Sequence, residues 1–228
     1  MSINAETAPL LSADAFENIK LDTERRANEF IQNEGADNDA ELTRVEMTDA
    51  PHANGWSVRL HVRGDNELLL TFEKTIAGNR TEDLVKTMWE NERSMKSHRD
   101  ATHVAHQTLR IAQELGPDAY VLQRDLTDET THGRTVTTTY LRFRQPTQRG
   151  NAIATVTLSR PDHPSDETVW AIKLFLWTDF ISTKESGTFV RMTGTINLEG
   201  PATAASVGAS LIGGLQLWEE MNIKAPSA

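Results

Sequence analysis

The start of the chain has the apolar spacing of an amphipathic helix. Between residues 13 and 33, apolar side chains recur mostly at steps of three and four among acidic and basic ones. Ser12 or Asp14 can cap the first turn, and Gly35 follows the last one. We therefore predict a helix over residues 13–33.

The apolar spacing changes to a period of two in the next part of the chain. Apolar residues from Val58 to Val62 alternate with polar ones, and turn residues at 64–66 separate them from an apolar run at 68–76. A shorter pattern of the same kind begins at Leu42. These segments predict three strands that form an antiparallel meander.

The middle of the chain predicts a second helix and then a series of strands. Acidic residues open the segment 81–97, whose apolar positions fall on one helical face. Residues 102–114 fit neither period. The five segments that follow are separated by turns of hairpin length, so we expect an antiparallel sheet. They are residues 119–126, 135–144, 153–160, 168–180 and 188–198.

A last helix is predicted over residues 202–223, directly after Pro201. Gly208, Gly213 and Gly214 each weaken a helix interior by up to about 1 kcal/mol relative to alanine. We therefore expect this helix to open locally and to act as a gate. Its apolar stripe comprises Ala204, Val207, Leu211, Leu215 and Trp218.

The segment 168–180 is more apolar than a strand with one buried face requires, notably at Phe175, Trp177 and Phe180. Two interpretations are open. Either the first helix covers this strand on the outside and the last helix covers it on the inside, or some of its inward-facing side chains line a ligand cavity.

Composition narrows the classes of function. With 23 basic and 33 acidic residues, the net charge is -10, which excludes a basic footprint for nucleic-acid phosphates. The absence of cysteine excludes disulfides, thiolate zinc sites and a thiol nucleophile. No signal sequence or long apolar run is present, so we expect a soluble, cytoplasmic protein. Because no linker or repeat divides the chain, we expect one domain over residues 1–228, with an N-terminal helical extension (1–35) and a C-terminal helix (201–223).

The order of these elements resembles the START lipid-transfer domains of the helix-grip (Bet v 1-like) superfamily. Local motifs add to the resemblance. The strand 119–126 carries Asp125 near its end and the next strand ends in Arg144, which is similar to the acidic residue and the arginine of the family. Trp89 and Gly187 also resemble the family pattern.

The resemblance implies an α+β helix-grip fold, in which a curved antiparallel sheet wraps around a long C-terminal helix. It covers roughly residues 55–223. It also implies that residues 102–114 form a strand and that residues 145–150 form a mobile loop beside the mouth of a cavity.

For the site, the resemblance implies that Asp125 and Arg144 face each other inside a lipid cavity, where they orient a polar group of the ligand. Arg142 replaces Arg144 if the register is shifted. Alternatively the pair is solvated and contributes under about 1 kcal/mol. Strand alternation favours this second interpretation, because it leaves both residues off the apolar faces of their strands. The predicted ligand-binding residues are Asp125, Arg144, Tyr140, Arg142, Trp177, Val207, Leu211, Leu215 and Trp218.

We therefore expect a protein that binds a lipid or sterol-like apolar ligand between the sheet and the last helix, for transfer or sensing, and makes transient membrane contact at most. We expect no cofactor and no catalytic residue. The three histidines within residues 98–106 do not have the spacing of a metal site, so we expect no metal. Two alternatives stay open: an enzyme of the polyketide cyclase type that uses Tyr140, Asp125 and Arg144, and an interaction module with a filled core.

Overall fold

The structure is a computed structural model that describes residues 10–33, 42–45, 54–64, 66–78, 80–94, 97–99, 105–128, 134–159, 173–197 and 204–223. These residues form three helices and ten strands. The helices are α1 (Ala13–Asn33), α2 (Thr81–Ser94) and α3 (Ala204–Asn222). The strands are β1 (Leu42–Arg44), β2 (Ser57–Arg63), β3 (Glu67–Ala77), β4 (Ser97–Arg99), β5 (Ala105–Glu114), β6 (Ala119–Asp128), β7 (Arg134–Thr147), β8 (Gly150–Ser159), β9 (Leu174–Ser182) and β10 (Gly187–Asn197).

All ten strands belong to one sheet, and every neighbouring pair in it is antiparallel, as predicted. The strand order is β1-β2-β3-β10-β9-β8-β7-β6-β5-β4. The contact between β3 and β10 joins the N-terminal meander to the later strands. β5 confirms the strand that the resemblance implied, and the two edge strands have three residues each.

Helix α1 begins and ends where the apolar spacing predicts, and it packs on one face of the sheet, here called the outer face. The Ser12 hydroxyl accepts a hydrogen bond from the Ala15 backbone at 3.2 Å and so caps the first turn. Gln113 of β5 both donates to and accepts from the Leu11 backbone, which holds the start of the helix to the sheet. The outer cluster contains Ala27 of α1 and the sheet residues Ala119, Leu141, Phe143, Ala152, Ala154, Phe175 and Trp177.

The inner face of the sheet packs against α2 and α3. Strand β9 contributes to both faces: Phe175 lies in the outer cluster, whereas Phe180 lies in the inner one. Helix α1 therefore covers this strand on the outside, as one interpretation predicted, whereas on the inside the strand contacts α2. The alternative that some of its inward-facing side chains line a cavity stays a prediction. The inner cluster includes Leu60, Leu70, Phe72 and Met192 of the sheet, Leu84, Met88 and Trp89 of α2, and Leu215 and Trp218 of α3.

Three predicted segments have other bounds in the structure. The predicted strand 168–180 is β9, which begins at Leu174 and ends at Ser182, and residues 168–172 lie outside the described residues. Helix α2 ends at Ser94 instead of continuing to residue 97, because β4 begins at Ser97. Residues 145–150 do not form a loop, because β7 continues to Thr147 and pairs with Gly150 across a two-residue turn. Gly150 has a φ of 153°, and a Cβ atom there would collide with the backbone carbonyl oxygen of Phe180, so glycine is required at this hairpin. Among the described residues, no helix is long and apolar enough to cross a membrane.

Candidate functional site

The structure does not bring Asp125 and Arg144 together, so the pair implied by the resemblance is wrong. Asp125 lies opposite Thr137 in the β6–β7 ladder and accepts a hydrogen bond from its hydroxyl at 2.6 Å. Arg144 lies seven residues further along β7, at a distance of about 23 Å for an extended strand. There its Nε donates to Asp118 Oδ1 at 2.7 Å, near the protein surface. Alternation also places the two residues on opposite faces of the sheet.

Arg142, the predicted replacement for Arg144, lies on the inner face of the sheet. It stands opposite Tyr120 of β6 and Thr155 of β8, so the three side chains share that face. Only 7% of Arg142 is exposed. Its guanidinium donates through NH1 to the Thr155 hydroxyl at 2.5 Å and forms an ion pair through NH2 with Glu92.

Glu92 comes from α2 and was missed by sequence reasoning. It lies three residues after Trp89 and seven after Val85, so it belongs to the apolar stripe of the helix that faces the sheet. An acidic residue on such a stripe is a signal that could have identified it. Burial raises the pKa of the Glu92 carboxyl, and the neighbouring Arg142 partly opposes that rise.

Tyr120 completes a group that we call the polar cluster: Glu92, Tyr120, Arg142 and Thr155. Tyr120 is fully buried, its ring centroid lies 4.8 Å from that of Trp89, and burial raises its pKa to about 12. The hydroxyl is therefore protonated at neutral pH and is a hydrogen-bond donor. Arg142 donates towards this hydroxyl, which partly opposes the rise in its pKa. Within the described part of the chain, the hydroxyl proton and Arg142 Nε have no acceptor.

Two arginines enclose the aromatic pair of Trp89 and Tyr120. Arg93 lies over the Tyr120 ring at 5.5 Å, and Arg144 lies over the Trp89 ring at 5.1 Å. Each arginine also pairs with a carboxylate near the surface, Arg93 with Glu114 at 2.7 Å and Arg144 with Asp118 at 2.7 Å. We call the row formed by Arg93, Tyr120, Trp89 and Arg144 the aromatic stack. It extends from one surface ion pair to the other through the interior.

A cleft of about 270 Å³ opens between α2 and the β7–β8 hairpin. This volume is close to the lower end of the range for small-molecule sites. None of its lining residues belongs to α3, so the cavity predicted between the sheet and α3 stays a prediction. The cleft is lined by Glu82, Val85, Lys86, Asp118, Arg144, Gln145, Pro146 and Asn151.

Among the other predicted site residues, Trp177 is on the wrong face. Alternation in β9 directs Leu176 to the inner cluster and Trp177 to the outer one, where the indole donates to Asp179 Oδ1 at 2.9 Å. Tyr140 is buried two residues from Arg142 on the same face of β7. The α3 residues are on the predicted face and contact the inner cluster: Val207, Leu211, Leu215 and Trp218.

The C-terminal half of α3 is fastened to the sheet by a buried carboxylate. Glu219 is 2% exposed and forms an ion pair with Lys74 of β3. It also accepts hydrogen bonds from the Trp56 indole at 3.1 Å and from the Asn54 amide. Trp56 packs edge-on against Trp218 with the ring centroids 5.8 Å apart. We call this group, Asn54, Trp56, Lys74 and Glu219, the α3 clasp.

The described residues contain no group of three or more histidine, aspartate and glutamate side chains that could hold a metal ion. Of the three histidines within residues 98–106, His103 and the side chains of the other two lie outside the described residues.

No protein-family model and no curated protein sequence matches the chain. Solved structures do match it. Human StAR-related lipid transfer protein 5 superposes with a TM-score of 0.56 at 11% identity, over 91% of this chain and 98% of that one. Human STARD10 superposes with a TM-score of 0.55 at 11% identity, over 97% of this chain and 84% of that one. The chain has the helix-grip fold of the START domains. Within this START fold, the polar cluster lies between α2 and the inner face of the sheet.

Proposed function

We propose that the protein binds one apolar ligand, a lipid or a sterol-like molecule, between the inner face of the sheet and helices α2 and α3. The ligand's polar oxygen group would lie at the polar cluster. One observation carries the proposal: Arg142 Nε and the Tyr120 hydroxyl proton are buried and have no acceptor in the described chain. Buried donors are costly to leave unpaired, so a ligand oxygen that accepts from them gains affinity.

The apolar surroundings supply the remaining affinity. Each CH₂ group that leaves water contributes about 0.8 kcal/mol, so a hydrocarbon body needs few specific contacts. The START fold is shared with a protein named for lipid transfer, which supports transfer or sensing as the role. A net charge of -10 gives no attraction to anionic lipids, so contact with a membrane would be transient. The cytoplasm stays the expected location.

Native mass spectrometry of the purified protein tests the proposal first, with a co-purifying lipid as the expected result. Titration with cis-parinaric acid, a fluorescent fatty acid whose carboxylate can accept from both donors, tests the site. Tyr120→Phe removes one hydroxyl and should weaken binding about fivefold, which is the effect of one hydrogen bond. Arg142→Gln should weaken it further.

Arg191→Gln is the matched control for the arginine. Arg191 lies on β10 and pairs with Glu73 at 2.9 Å, with 19% of its side chain exposed, but it lies on the outer face. Its loss should leave the affinity for cis-parinaric acid unchanged. Equal weakening by Arg142→Gln and Arg191→Gln would count against a ligand at the polar cluster.

The raised pKa of Glu92 favours a second candidate, in which this carboxyl acts as a general acid or base on a bound substrate. The residues named for this role from the sequence, Tyr140, Asp125 and Arg144, are not members of the polar cluster, although Tyr140 is buried two residues from Arg142 on the same face of β7. Mass spectrometry separates the candidates. Recovery of the co-purified ligand at unchanged mass after incubation supports binding, whereas a new product that Glu92→Gln fails to make supports catalysis.

A further inference from the structure

The cleft and the polar cluster lie along the same stripe of α2. Glu82, Val85 and Lys86 line the cleft. At further steps of three and four along the helix, Trp89 follows them, and then Glu92. One face of the helix therefore leads from the surface opening to the buried carboxylate.

Strand β7, which faces α2, also connects the cleft to the polar cluster. Arg144 lines the cleft, and Arg142 holds Glu92. The two arginines are alternate residues of β7 on its inner face, so their Cα atoms are about 7 Å apart. The floor of the cleft and the polar cluster are therefore adjacent.

Two side chains, Arg144 and then Trp89, lie in sequence between the cleft and this interior. The Arg144 guanidinium lies over the Trp89 ring, and Trp89 in turn contacts Tyr120 of the polar cluster. Arg144 is held in this position by Asp118, and 31% and 59% of the two side chains are exposed. Ion pairs this exposed are weak and break readily in water.

We propose that this cleft is the route by which the ligand reaches the polar cluster, with Arg144 as a lid and Asp118 as its latch. The inference rests on the proposed function and adds the access route to it. The α3 clasp supports this assignment, because it fastens the C-terminal half of the other candidate gate with a buried carboxylate. Opening requires the loss of one exposed ion pair and of the contact between Arg144 and the Trp89 ring, and both lie beside the cleft.

Stopped-flow exchange of cis-parinaric acid tests the latch. In Asp118→Asn, the association and dissociation rates should both rise about two- to fivefold, as expected for the loss of an exposed ion pair, while the equilibrium affinity stays the same. Glu114→Gln is the control. It breaks the pair with Arg93, which has the same 2.7 Å length and lies at the other end of the aromatic stack, so exchange should keep its original rates.

A reversible block tests the route independently. Because the chain has no cysteine, Lys86→Cys carries a unique thiol at the rim of the cleft, where 69% of the Lys86 side chain is exposed. A bulky methanethiosulfonate reagent at this position should slow exchange, and a reductant should restore it. Glu90→Cys, one turn further along α2 and outside the cleft lining, should leave exchange unchanged after the same treatment.

The proposed route would be overturned if the exchange rates of cis-parinaric acid were unchanged both in Asp118→Asn and in the labelled Lys86→Cys variant. If Arg142→Gln still weakened binding, the proposed function would survive and only the access route would be wrong. Failure of cis-parinaric acid to bind saturably would overturn both. Equal acceleration by Asp118→Asn and Glu114→Gln would also overturn the latch, because it would show general loosening of the stack.

Discussion

Arg142 of β7 and Glu92 of α2 form an ion pair that joins the helix to the inner face of the sheet. Thr155 accepts from the same guanidinium on the neighbouring strand. Both charged side chains are largely withdrawn from water, with 9% and 18% of their surface exposed. The pair therefore contributes both to the stability of the fold and to the chemistry of the candidate site.

Removal of one partner of this pair should be costly. Arg142→Ala leaves the Glu92 carboxylate buried without its cation, and we expect a loss of about 3–5 kcal/mol in the free energy of unfolding. Replacing both residues, as Glu92→Leu with Arg142→Met, should restore much of that loss. A double-mutant cycle in urea measures the coupling energy.

The same cycle on Asp125 and Arg144 is the control. These residues lie on opposite faces and far apart along the strands, so their coupling energy should be close to zero. A large coupling there, with none between Glu92 and Arg142, would contradict the register on which the site depends.

The pH dependence of stability should report the environment of Glu92. Its pKa is raised in the folded protein, so the folded state holds this proton at pH values where the unfolded chain has released it. The stabilisation is present below the ordinary glutamate pKa of 4.5 and is lost as pH rises through the folded value. In urea, the free energy of unfolding of the original chain should therefore fall with rising pH relative to that of Glu92→Gln. Parallel pH curves for the two proteins would exclude the raised pKa.

Glu219→Ala should destabilise the protein by about 3–5 kcal/mol, because it leaves the Lys74 ammonium and the Trp56 indole without their shared acceptor. Hydrogen exchange should show the loss in the last two turns of α3. Glu220→Ala is the control, since this neighbour is exposed and should change stability by less than about 0.5 kcal/mol. Comparable effects at both positions would show that the α3 clasp does not hold the helix.

Two glycines should respond to alanine in opposite ways. A Cβ atom at Gly214 of α3 meets nothing within 4 Å, so Gly214→Ala should raise stability by about 0.5–1 kcal/mol through helix propensity. A Cβ atom at Gly194 of β10 would collide with the Phe175 carbonyl oxygen of β9, so Gly194→Ala should lower the melting temperature. Thermal unfolding followed by circular dichroism measures both. Destabilisation by Gly214→Ala would indicate that α3 is packed more tightly than the structure shows.

Much of the fold follows from the period of the apolar pattern. The predicted helix over residues 13–33 is α1, and the predicted hairpin is β2 with β3. The segment that fitted neither period is β5, where the register shifts between Ile111 and Gln113. A bulge of this kind places an extra residue in the strand and interrupts the alternation, so the pattern could not identify it.

The site was less accessible to sequence reasoning. Arg142 and Arg144 both face inward on β7, and only the position of α2 decides which of them meets a buried acid. Asp125 has an acceptable spacing along the chain but faces the other side of the sheet. Glu92 lies on a helix, and no strand pattern refers to it. The distance between a helix and a strand is a tertiary property that local periods do not contain.

The lengths of β1 and β4 bear on how the protein behaves at high concentration. They are the edge strands of the sheet, and each has only three residues in the described chain. A free edge exposes backbone groups that can pair with another molecule, and a row this short offers few of them. Growth of the sheet through β1 or β4 is therefore disfavoured. Within the described chain, β4 pairs with β5 only at residues 106–108, so a second molecule that adds to the sheet could pair with residues 109–114 of β5 instead.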